Sequence, residues 1–518
     1  MRSLLLVIAI AVVLRVALAC RQDLWADELF SVAVATGHSL EHPAADAVPA
    51  LGDFVEPAGA VTPAHFRRYL EAEAPPAGPA RVIRAVRLSD TSPPLYYLLL
   101  AGWTRLAGTG DPALHLFSVA CALATLGVVW LLARRVGTAR DALTAVLLFG
   151  IAPVSLYYAV EARMYALLWL ASALTARLTL RLADRGDAGT LAAWTVVGAV
   201  GLLTHYFYVF VWSACLGWLL LRPGRVGRGR VMLAAAATLL LVAPWYRLVP
   251  ETLARWRVTG HWLDDRPSLL RLVTAPLLLG WSYLSGRGVW GGDVWADRAA
   301  FAVVLAAGLW FLRRGRAVVL AEGRGLLWLW AVAAAVGPVV FDLLRGTGTS
   351  QIARYALAGM PAGFVLLALA IGALPGRGPW IAVGLLAAAW LPGLHEVWAH
   401  RTRAGEPYRA VARRVATWAR PGDLVVIHAI PSGVLGVARY LDRDVPLAAW
   451  VGQLGRRRVP ESLDTLLAGR ARVAIVRIHE VGAPAPEEDW LRAHATLLGE
   501  EQRGSARLAY FSLVPTRR

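Results

Sequence analysis

The chain has 518 residues, of which 57% are hydrophobic and 17% are charged, and its formal net charge is +18. Soluble globular proteins carry about 25% charged residues, and here the apolar residues come in long blocks. This composition excludes a soluble enzyme, a disordered regulator and a fibrous protein, and it predicts a polytopic α-helical membrane protein. Because the basic residues cluster at the ends of apolar blocks, we interpret them as topology signals and expect no nucleic-acid partner.

The first apolar block, at about residues 3–20, is interpreted as a membrane-spanning helix. A polar segment rich in Ala and Pro follows and is predicted to be an extracytoplasmic loop, residues 21–91. The next apolar block, residues 95–107, is too short to cross a bilayer core of about 30 Å at roughly 1.5 Å per residue. We therefore expect it to form a helix that lies on the outer face or dips into it.

Clusters of arginine mark the cytoplasmic turns under the positive-inside rule. They lie at residues 134–140, 177–185, 222–230 and 313–316. Eleven spans then fit, at about residues 3–20, 112–134, 140–158, 164–183, 188–203, 206–221, 231–249, 299–312, 325–343, 354–373 and 379–394. Residues 268–286 could add a further span, so about 11–13 transmembrane helices are predicted. An odd number of crossings places the C-terminus outside.

The sequence changes character after the last predicted span, because charged residues become frequent. A helix is predicted at residues 407–419. Buried strands are predicted at residues 424–428, 473–478 and 508–514. We therefore predict a transmembrane domain over residues 1–394 and a small extracytoplasmic α/β domain over residues 395–518.

Two adjacent carboxylates, Asp27 and Glu28, follow the first span and lie between Trp25 and Phe30. Carboxylates at a membrane surface are costly unless they are solvated, paired or used. One interpretation is a general base that removes the proton of an acceptor hydroxyl. The other is an amphipathic interfacial helix with its charged side in water. The spacing alone leaves both interpretations open.

Further polar residues lie at the predicted outer ends of helical hairpins. Glu161 and Arg163 precede Tyr165 in one of them, and Arg354 begins a later span. The arginines could bind a phosphate, and Glu161 could orient the acceptor or an arginine. Alternatively, Glu161 and Arg163 cap the helix ends, Arg354 anchors its helix at the interface, and Tyr165 belongs to an aromatic belt.

His205 and Tyr206 occupy another predicted outer turn. His205 could bind a phosphate or, with Glu161 or Glu28, a metal ion; alternatively it is a satisfied interface residue. Since no cluster of His, Asp and Glu lies close in sequence, no cofactor is predicted and a divalent metal has no support from the sequence.

The order and sidedness of several segments resemble the GT-C glycosyltransferases. The resemblance is strongest to the family 39-like group, which includes protein O-mannosyltransferases and lipid A aminoarabinose transferases, and it covers nearly the whole chain. The segments are Asp27-Glu28, Ser92-Pro93-Pro94-Leu95-Tyr96-Tyr97, Tyr157–Tyr165, Thr204-His205-Tyr206, Arg354-Tyr355 and Tyr408 with Pro421-Gly422-Asp423.

This resemblance implies an inverting glycosyltransferase at the outer face of a bacterial inner membrane. The donor would be a polyprenyl-phosphate-linked sugar, and the acceptor a glycan, a lipid or a protein. Asp27 is then the candidate catalytic base, with Glu28 orienting it or binding the acceptor. The candidate substrate-binding residues are Glu161, Arg163, Tyr165, His205, Tyr206 and Arg354.

Two other classes of function are alternatives to this one. A transporter or lipid flippase would place ionisable residues deep in its spans and show matching halves, whereas this chain gathers them at outer helix ends. A non-catalytic membrane scaffold would present the tail to partners and tolerate replacement of Asp27. Besides donor and acceptor, membrane lipids are the expected partners.

Overall fold

The computed structural model describes residues 2–41, 46–255, 257–260, 263–264, 266–285, 302, 324–402, 405–481 and 484–514. The chain forms two compact units, here called the helical unit and the mixed unit. The helical unit contains Met1–Arg21, His115–Val249 and His261–His400, and the mixed unit contains Gln22–Leu114, Pro250–Gly260 and Arg401–Arg518. The tail begins close to the predicted boundary, but the first loop groups with the tail and not with the spans.

The helices and strands are numbered in chain order. The helices are α1 Arg2–Arg21, α2 Ala26–Ala35, α3 Pro63–Arg67, α4 Pro79–Ser89, α5 Leu95–Ala107, α6 Asp111–Val136, α7 Ala139–Ile151, α8 Pro153–Ala159, α9 Tyr165–Arg185, α10 Ala188–Leu202, α11 Tyr208–Leu221, α12 Arg228–Tyr246, α13 Val249–Ala254, α14 Leu269–Ser285, α15 Arg324–Arg345, α16 Met360–Gly372, α17 Gly378–Ala399, α18 Tyr408–Trp418, α19 Pro431–Tyr440, α20 Glu461–Leu467 and α21 Pro486–His494. The strands are β1 Leu424–His428, β2 Leu447–Trp450, β3 Arg472–Arg477, β4 Thr496–Arg503 and β5 Ala506–Ser512.

Seven helices in the described part of the chain are long and apolar enough to cross a membrane. They are Arg2–Arg21, Asp111–Val136, Tyr165–Arg185, Arg228–Ala254, Arg324–Arg345, Ala353–Gly372 and Gly378–Ala399. The pair α7 and α8, bent by 63°, makes an eighth if it counts as one span, whereas α10, α11 and α14 are apolar but shorter. The polytopic class is confirmed. The predicted span 299–312 lies outside the described residues except for 302, so the total of 11–13 stays a prediction.

A buried arginine explains how α7 can break inside the helical unit. Pro153 has no N–H, so the carbonyl of Phe149 loses its helical donor. The guanidinium of Arg15, fully buried in α1, donates to the carbonyl oxygens of Phe149 at 3.2 Å and Gly150 at 2.6 Å, and to Ser155 Oγ at 3.0 Å. A cation at a helix C-terminus is also favoured by the helix dipole. Arg15 therefore stabilises the α7–α8 break.

We expect Arg15→Met to destabilise the helical unit. The methionine fills the space but leaves both carbonyls without their donor, and each buried polar group that loses its partner costs about 1–3 kcal/mol. Thermal unfolding in detergent should show a lower midpoint for Arg15→Met than for Ser155→Ala, which removes one contact only. Equal midpoints for the two variants would contradict this explanation of the break.

The first loop supplies helices α2, α3 and α4 to the mixed unit, and α5 follows the loop. The short apolar helix α5 spans the predicted residues, 95–107, and follows Pro93-Pro94, while Gly108 with φ +79° ends it. Asp90 ties the Pro-Pro turn to α5, because its carboxylate accepts hydrogen bonds from the Ser92 N–H at 2.8 Å and the Tyr97 hydroxyl at 2.6 Å. Helix α2 contacts both α4 and α5.

The tail contributes a five-stranded sheet of order β2-β1-β3-β5-β4. Strands β2, β1 and β3 are parallel, and β5 and β4 are added as antiparallel strands. The helical connections α19 and α20 allow parallel pairing, which a short turn does not. The predicted strands correspond to β1, β3 and β5, so the small α/β domain is confirmed. Trp450, Ile475 and Phe511 lie in its buried core.

Candidate active site

The first turn of α2 holds Asp27 and Glu28 in different environments. Glu28 is fully buried, and its Oε2 accepts the Trp25 N–H at 3.1 Å. This bond satisfies a backbone donor that the helix cannot satisfy itself. Asp27 is partly exposed, whereas Ala26, Glu28 and Leu29 are buried. Within this turn, Glu28 stabilises the start of the helix, and Asp27 is the residue that keeps part of its surface exposed.

Charged groups of the tail fix the residues just before α2. Asp23 accepts a hydrogen bond from Arg409 Nε at 2.6 Å, and the Leu24 N–H donates to the Tyr440 hydroxyl at 2.7 Å. That hydroxyl donates to Asp111 at 2.8 Å, and Arg439 pairs with the same carboxylate at 2.7 Å. The approach to α2 is therefore held by α18 and α19 of the tail.

One carboxylate of the tail contacts α2 directly. Glu406 is buried; its Oε2 accepts the Ala26 N–H at 2.8 Å, and its Oε1 lies 2.5 Å from His479 Nδ1. Sequence reasoning missed both residues, because Glu406 and Ala26 are 380 positions apart and the spacing of the tail contains no signal for the contact. The closest sequence signal was Tyr408, two residues after Glu406.

In the helical unit, the turn between α8 and α9 contains Glu161 and Arg163. Both side chains are buried, and the Arg163 N–H donates to the Glu161 carbonyl oxygen at 2.7 Å. Tyr158 lies within electrostatic range of Glu161 and of Arg354, and its ring packs edge-on against Tyr165 at 5.2 Å. The turn therefore contains a buried carboxylate close to Tyr158 and, two residues later, a buried guanidinium.

His205 joins this cluster from the turn before α11. Its ring lies 6.3 Å from the ring of Tyr165 and 6.3 Å from that of Tyr355. Nδ1 accepts the Phe207 N–H at 3.1 Å, so the proton of the neutral ring is on Nε2. A protonated Nε2 donates hydrogen bonds and cannot ligate a metal, so this geometry favours the phosphate interpretation of His205 over the metal interpretation.

Arg354 lies in a 3-10 segment, Ala353–Gly359, that precedes α16. Two buried indoles hold this segment: Trp169 donates to the Leu357 carbonyl at 3.0 Å, and Trp330 donates to the Ala358 carbonyl at 2.8 Å. Arg354 is half-buried, and its guanidinium lies 5.6 Å from the centre of the Tyr355 ring. A partly exposed cation is thereby kept beside the His205 cluster.

Tyr206 contacts α12. Its hydroxyl accepts the Trp245 indole N–H at 3.3 Å, and its ring lies 5.9 Å from that of Tyr246. Tyr246 also lines a mainly apolar groove of about 400 Å³ between α10, α11 and α12. The other lining residues are Leu202, Val209, Trp212, Leu239, Val242, Ala243 and Arg247. Tyr206 therefore lies beside an apolar groove.

The predicted site residues fall into two sets. Asp27 and Glu28 belong to the mixed unit, and the six predicted substrate-binding residues belong to the helical unit. One set offers a carboxylate that can accept a proton, and the other offers guanidinium and imidazole donors that suit a phosphate. Across the described ranges, no group of three or more His, Cys, Asp or Glu side chains is arranged to hold a metal ion.

Comparison with known proteins gives one family match. Residues 91–247 match the family of dolichyl-phosphate-mannose-protein mannosyltransferases. No curated protein matches the chain in sequence.

Solved structures resemble the chain over most of its length. ArnT from Cupriavidus metallidurans bound to undecaprenyl phosphate is 16% identical, with 99% of this chain and 98% of that chain covered and a TM-score of 0.56. The archaeal oligosaccharyltransferase AglB from Archaeoglobus fulgidus, in complex with an inhibitory peptide and a dolichol phosphate, is 12% identical, with 91% and 69% covered and a TM-score of 0.42. The likeness to ArnT shows a common fold.

The chain is a multi-pass membrane protein whose fold, and whose residues 91–247, resemble those of glycosyltransferases of the GT-C type. The chain is similar to the protein mannosyltransferases and to ArnT, as its sequence segments predicted. The findings give no support to the transporter and scaffold interpretations.

Proposed function

We propose that the chain moves a sugar from a polyprenyl phosphate to an acceptor hydroxyl at the outer face of a bacterial inner membrane, with inversion at the anomeric carbon. The observation that carries the proposal is the first turn of α2, where Asp27 is partly exposed between buried neighbours. A general base has to be held in place and yet reach a substrate hydroxyl. The partial exposure of Asp27 in the first turn of a helix supports this role.

In the proposed reaction, the acceptor oxygen attacks C1 of the sugar while the bond from C1 to the phosphate oxygen breaks. Asp27 takes the proton of the acceptor hydroxyl. The electron pair of the broken bond stays on the polyprenyl phosphate, which leaves as the second product. A single displacement of this kind inverts the configuration at C1.

Negative charge grows on the phosphate as the sugar departs, so donors aimed at it stabilise the transition state more than the ground state. Arg163 is the first candidate, because its guanidinium is buried in the turn that also contains Glu161. His205, with its proton on Nε2, and Arg354 are the next candidates in the same cluster.

The apolar groove beside Tyr206 suits the lipid part of such a donor. A polyprenyl chain is a series of apolar units, and the groove is lined mainly by apolar side chains of α10, α11 and α12. We propose that part of the chain lies in this groove, which would keep the donor in the helical unit while its phosphate is bound.

The acceptor class and the stereochemistry are tested together. The purified protein in liposomes receives a polyprenyl-phosphate sugar labelled at C1, with lipid, glycan and protein fractions offered separately. Label in one fraction identifies the acceptor class, and NMR of the product gives the anomeric configuration. A retained configuration would overturn the single-displacement reaction.

The proposed topology predicts that the tail is extracytoplasmic. In a chain whose three native cysteines, Cys20, Cys121 and Cys215, are replaced, Ala468→Cys should react with an impermeant thiol reagent on intact spheroplasts. Ala468 is exposed in the turn after α20, so the new thiol is accessible. The reaction is measured by the mass shift of the purified protein.

The matched control for this experiment is Gly229→Cys. A Cβ at Gly229 meets open space, and the position lies in the arginine-rich turn predicted to be cytoplasmic. It should react only after lysis. The opposite pattern, with Gly229→Cys labelled on intact cells and Ala468→Cys protected, would reverse the topology.

A further inference from the structure

The tail places a buried carboxylate and a histidine at the start of α2. The Glu406 carboxylate lies between two donors: the Ala26 N–H, 2.8 Å from Oε2, and His479 Nδ1, 2.5 Å from Oε1. Ala26 is the first residue of α2 and directly precedes Asp27. Glu406 is therefore hydrogen-bonded to the residue that directly precedes Asp27.

The first N–H groups of helix α2 are accepted by two carboxylates and not by its N-cap side chain. Its N-cap residue is Trp25, and an indole has no oxygen that can accept a backbone N–H. The carboxylates of Glu28 and Glu406 accept the N–H groups of Trp25 and Ala26 instead. Glu28 belongs to the helix itself, whereas Glu406 comes from the tail.

His479 is held in an uncommon backbone conformation. Among the described residues it is the non-glycine residue with a positive φ, +50°, and it follows β3 by two positions. Such conformations persist only where the surrounding structure imposes them. Here the imposed position brings Nδ1 to the Glu406 carboxylate.

The charge state of His479 fits this arrangement. Burial lowers the pKa of His479, but the hydrogen bond to Glu406 and the charges of Glu406, Asp27 and Glu41 together raise it above the ordinary value for histidine. The charge of Asp27 therefore acts on the imidazole of His479. Together the three carboxylates favour the cationic form of the ring.

We propose that Glu406 and His479 form a positioning pair that fixes the first turn of α2 and thereby holds the Asp27 carboxylate for proton transfer. This inference rests on the proposed function of Asp27 as the base. It gives the C-terminal domain a part in the chemical step, in addition to any part in holding the acceptor.

The structure offers a matched control in the same domain. Glu487 and His428 form a second pair, Oε1 to Nδ1 at 2.6 Å, with both side chains buried. Glu406→Gln and Glu487→Gln thus each replace a histidine-paired buried carboxylate by an amide of the same shape. A general loss of stability should affect both variants, whereas a positioning effect should appear in Glu406→Gln alone.

We expect Glu406→Gln to lower kcat by about 10–100-fold, as small misplacements of catalytic groups do, with little change in the KM for the donor. His479→Gln should lose a similar factor, and the double variant should lose no more than the worse single variant, because the two residues act as a unit. Glu487→Gln should keep the wild-type kcat. Turnover is measured on the full-length protein in liposomes, with thermal midpoints recorded for each variant.

The pH profile separates positioning from mere stability. Since the imidazolium is the form below the raised pKa of His479, wild-type kcat should fall as the pH rises through that value. Without the Glu406 charge the pKa of His479 is lower, so the falling limb should move to lower pH in Glu406→Gln. The limb should disappear in His479→Gln and stay in place in Glu487→Gln.

Two outcomes overturn different parts of the account. Suppose that Asp27→Asn is inactive while Glu406→Gln and His479→Gln match Glu487→Gln in kcat and pH profile. The positioning role of Glu406 and His479 is then rejected, and the role of Asp27 as the base is kept. If Asp27→Asn turns over normally, the proposed base itself is rejected. Should Glu406→Gln fail to fold, His479→Gln, which leaves the Glu406 bond to Ala26 in place, decides the same question.

Discussion

Asp27→Asn should abolish sugar transfer while the protein folds normally and still binds its donor. The amide keeps the shape of the side chain but cannot take the proton of the acceptor hydroxyl. Removing a general base costs about 10²–10⁴-fold, and the loss should appear in kcat and not in the affinity for the donor. Single-turnover transfer with saturating donor measures the effect, and donor binding to the same preparation is measured in parallel.

Glu28→Gln is the internal comparison for that variant. Glu28 is buried and accepts the Trp25 N–H, and a glutamine oxygen can still accept this bond. The loss of turnover should therefore be much smaller than for Asp27→Asn. If Asp27→Asn keeps activity within a few-fold of wild type, Asp27 is not the base. If, in addition, Glu28→Gln is inactive, Glu28 is the base instead.

Arg163→Ala should be the second large effect, with a loss of roughly 10²–10³-fold in kcat, the amount typical of one donor that stabilises developing charge. Arg163→Lys should also lose much of the rate although its charge is kept. A guanidinium holds two phosphate oxygens in a fixed geometry, whereas an ammonium acts as a point charge. Steady-state transfer with varied donor concentration measures both variants.

Two other arginines serve as comparisons. Arg354→Ala should lose less, because Arg354 is half-buried beside Tyr355 and could act as an interface anchor. Arg345→Ala removes an exposed arginine at the end of α15 and should leave turnover unchanged. If Arg163→Ala turns over normally and Arg354→Ala is inactive, Arg354 and not Arg163 binds the leaving phosphate. If both variants are active, His205 is the next phosphate-binding residue to test.

Elements with a strong local pattern were predictable from the sequence. Helix α5 was expected at residues 95–107, and β1 at residues 424–428. Each is an apolar run, and the Pro, Gly or charged residues on either side of the run mark its ends. Strands β2 and β4 were missed for different reasons. β2 has four residues, too few for a pattern. β4 has mostly polar, exposed residues and precedes β5 in a hairpin.

Long-range contacts were not predictable in the same way. The sequence singled out Asp27, because adjacent carboxylates between aromatic residues are unusual near a membrane. It contained no sign of Glu406 or His479, whose contacts with each other and with α2 depend on how the tail folds. For the same reason the first loop was assigned to the transmembrane domain, although it groups with the tail.

The proposed function requires that the chain uses a lipid-phosphate sugar and that Asp27 activates the acceptor. The most direct measurement adds a radiolabelled polyprenyl-phosphate sugar to purified protein in liposomes with an acceptor extract, wild type beside Asp27→Asn. We expect wild type to transfer label and release polyprenyl phosphate in equal amounts, and Asp27→Asn to bind the donor without transfer. Label that reaches the acceptor equally with both proteins, or that stays on the donor with wild type, would contradict the account.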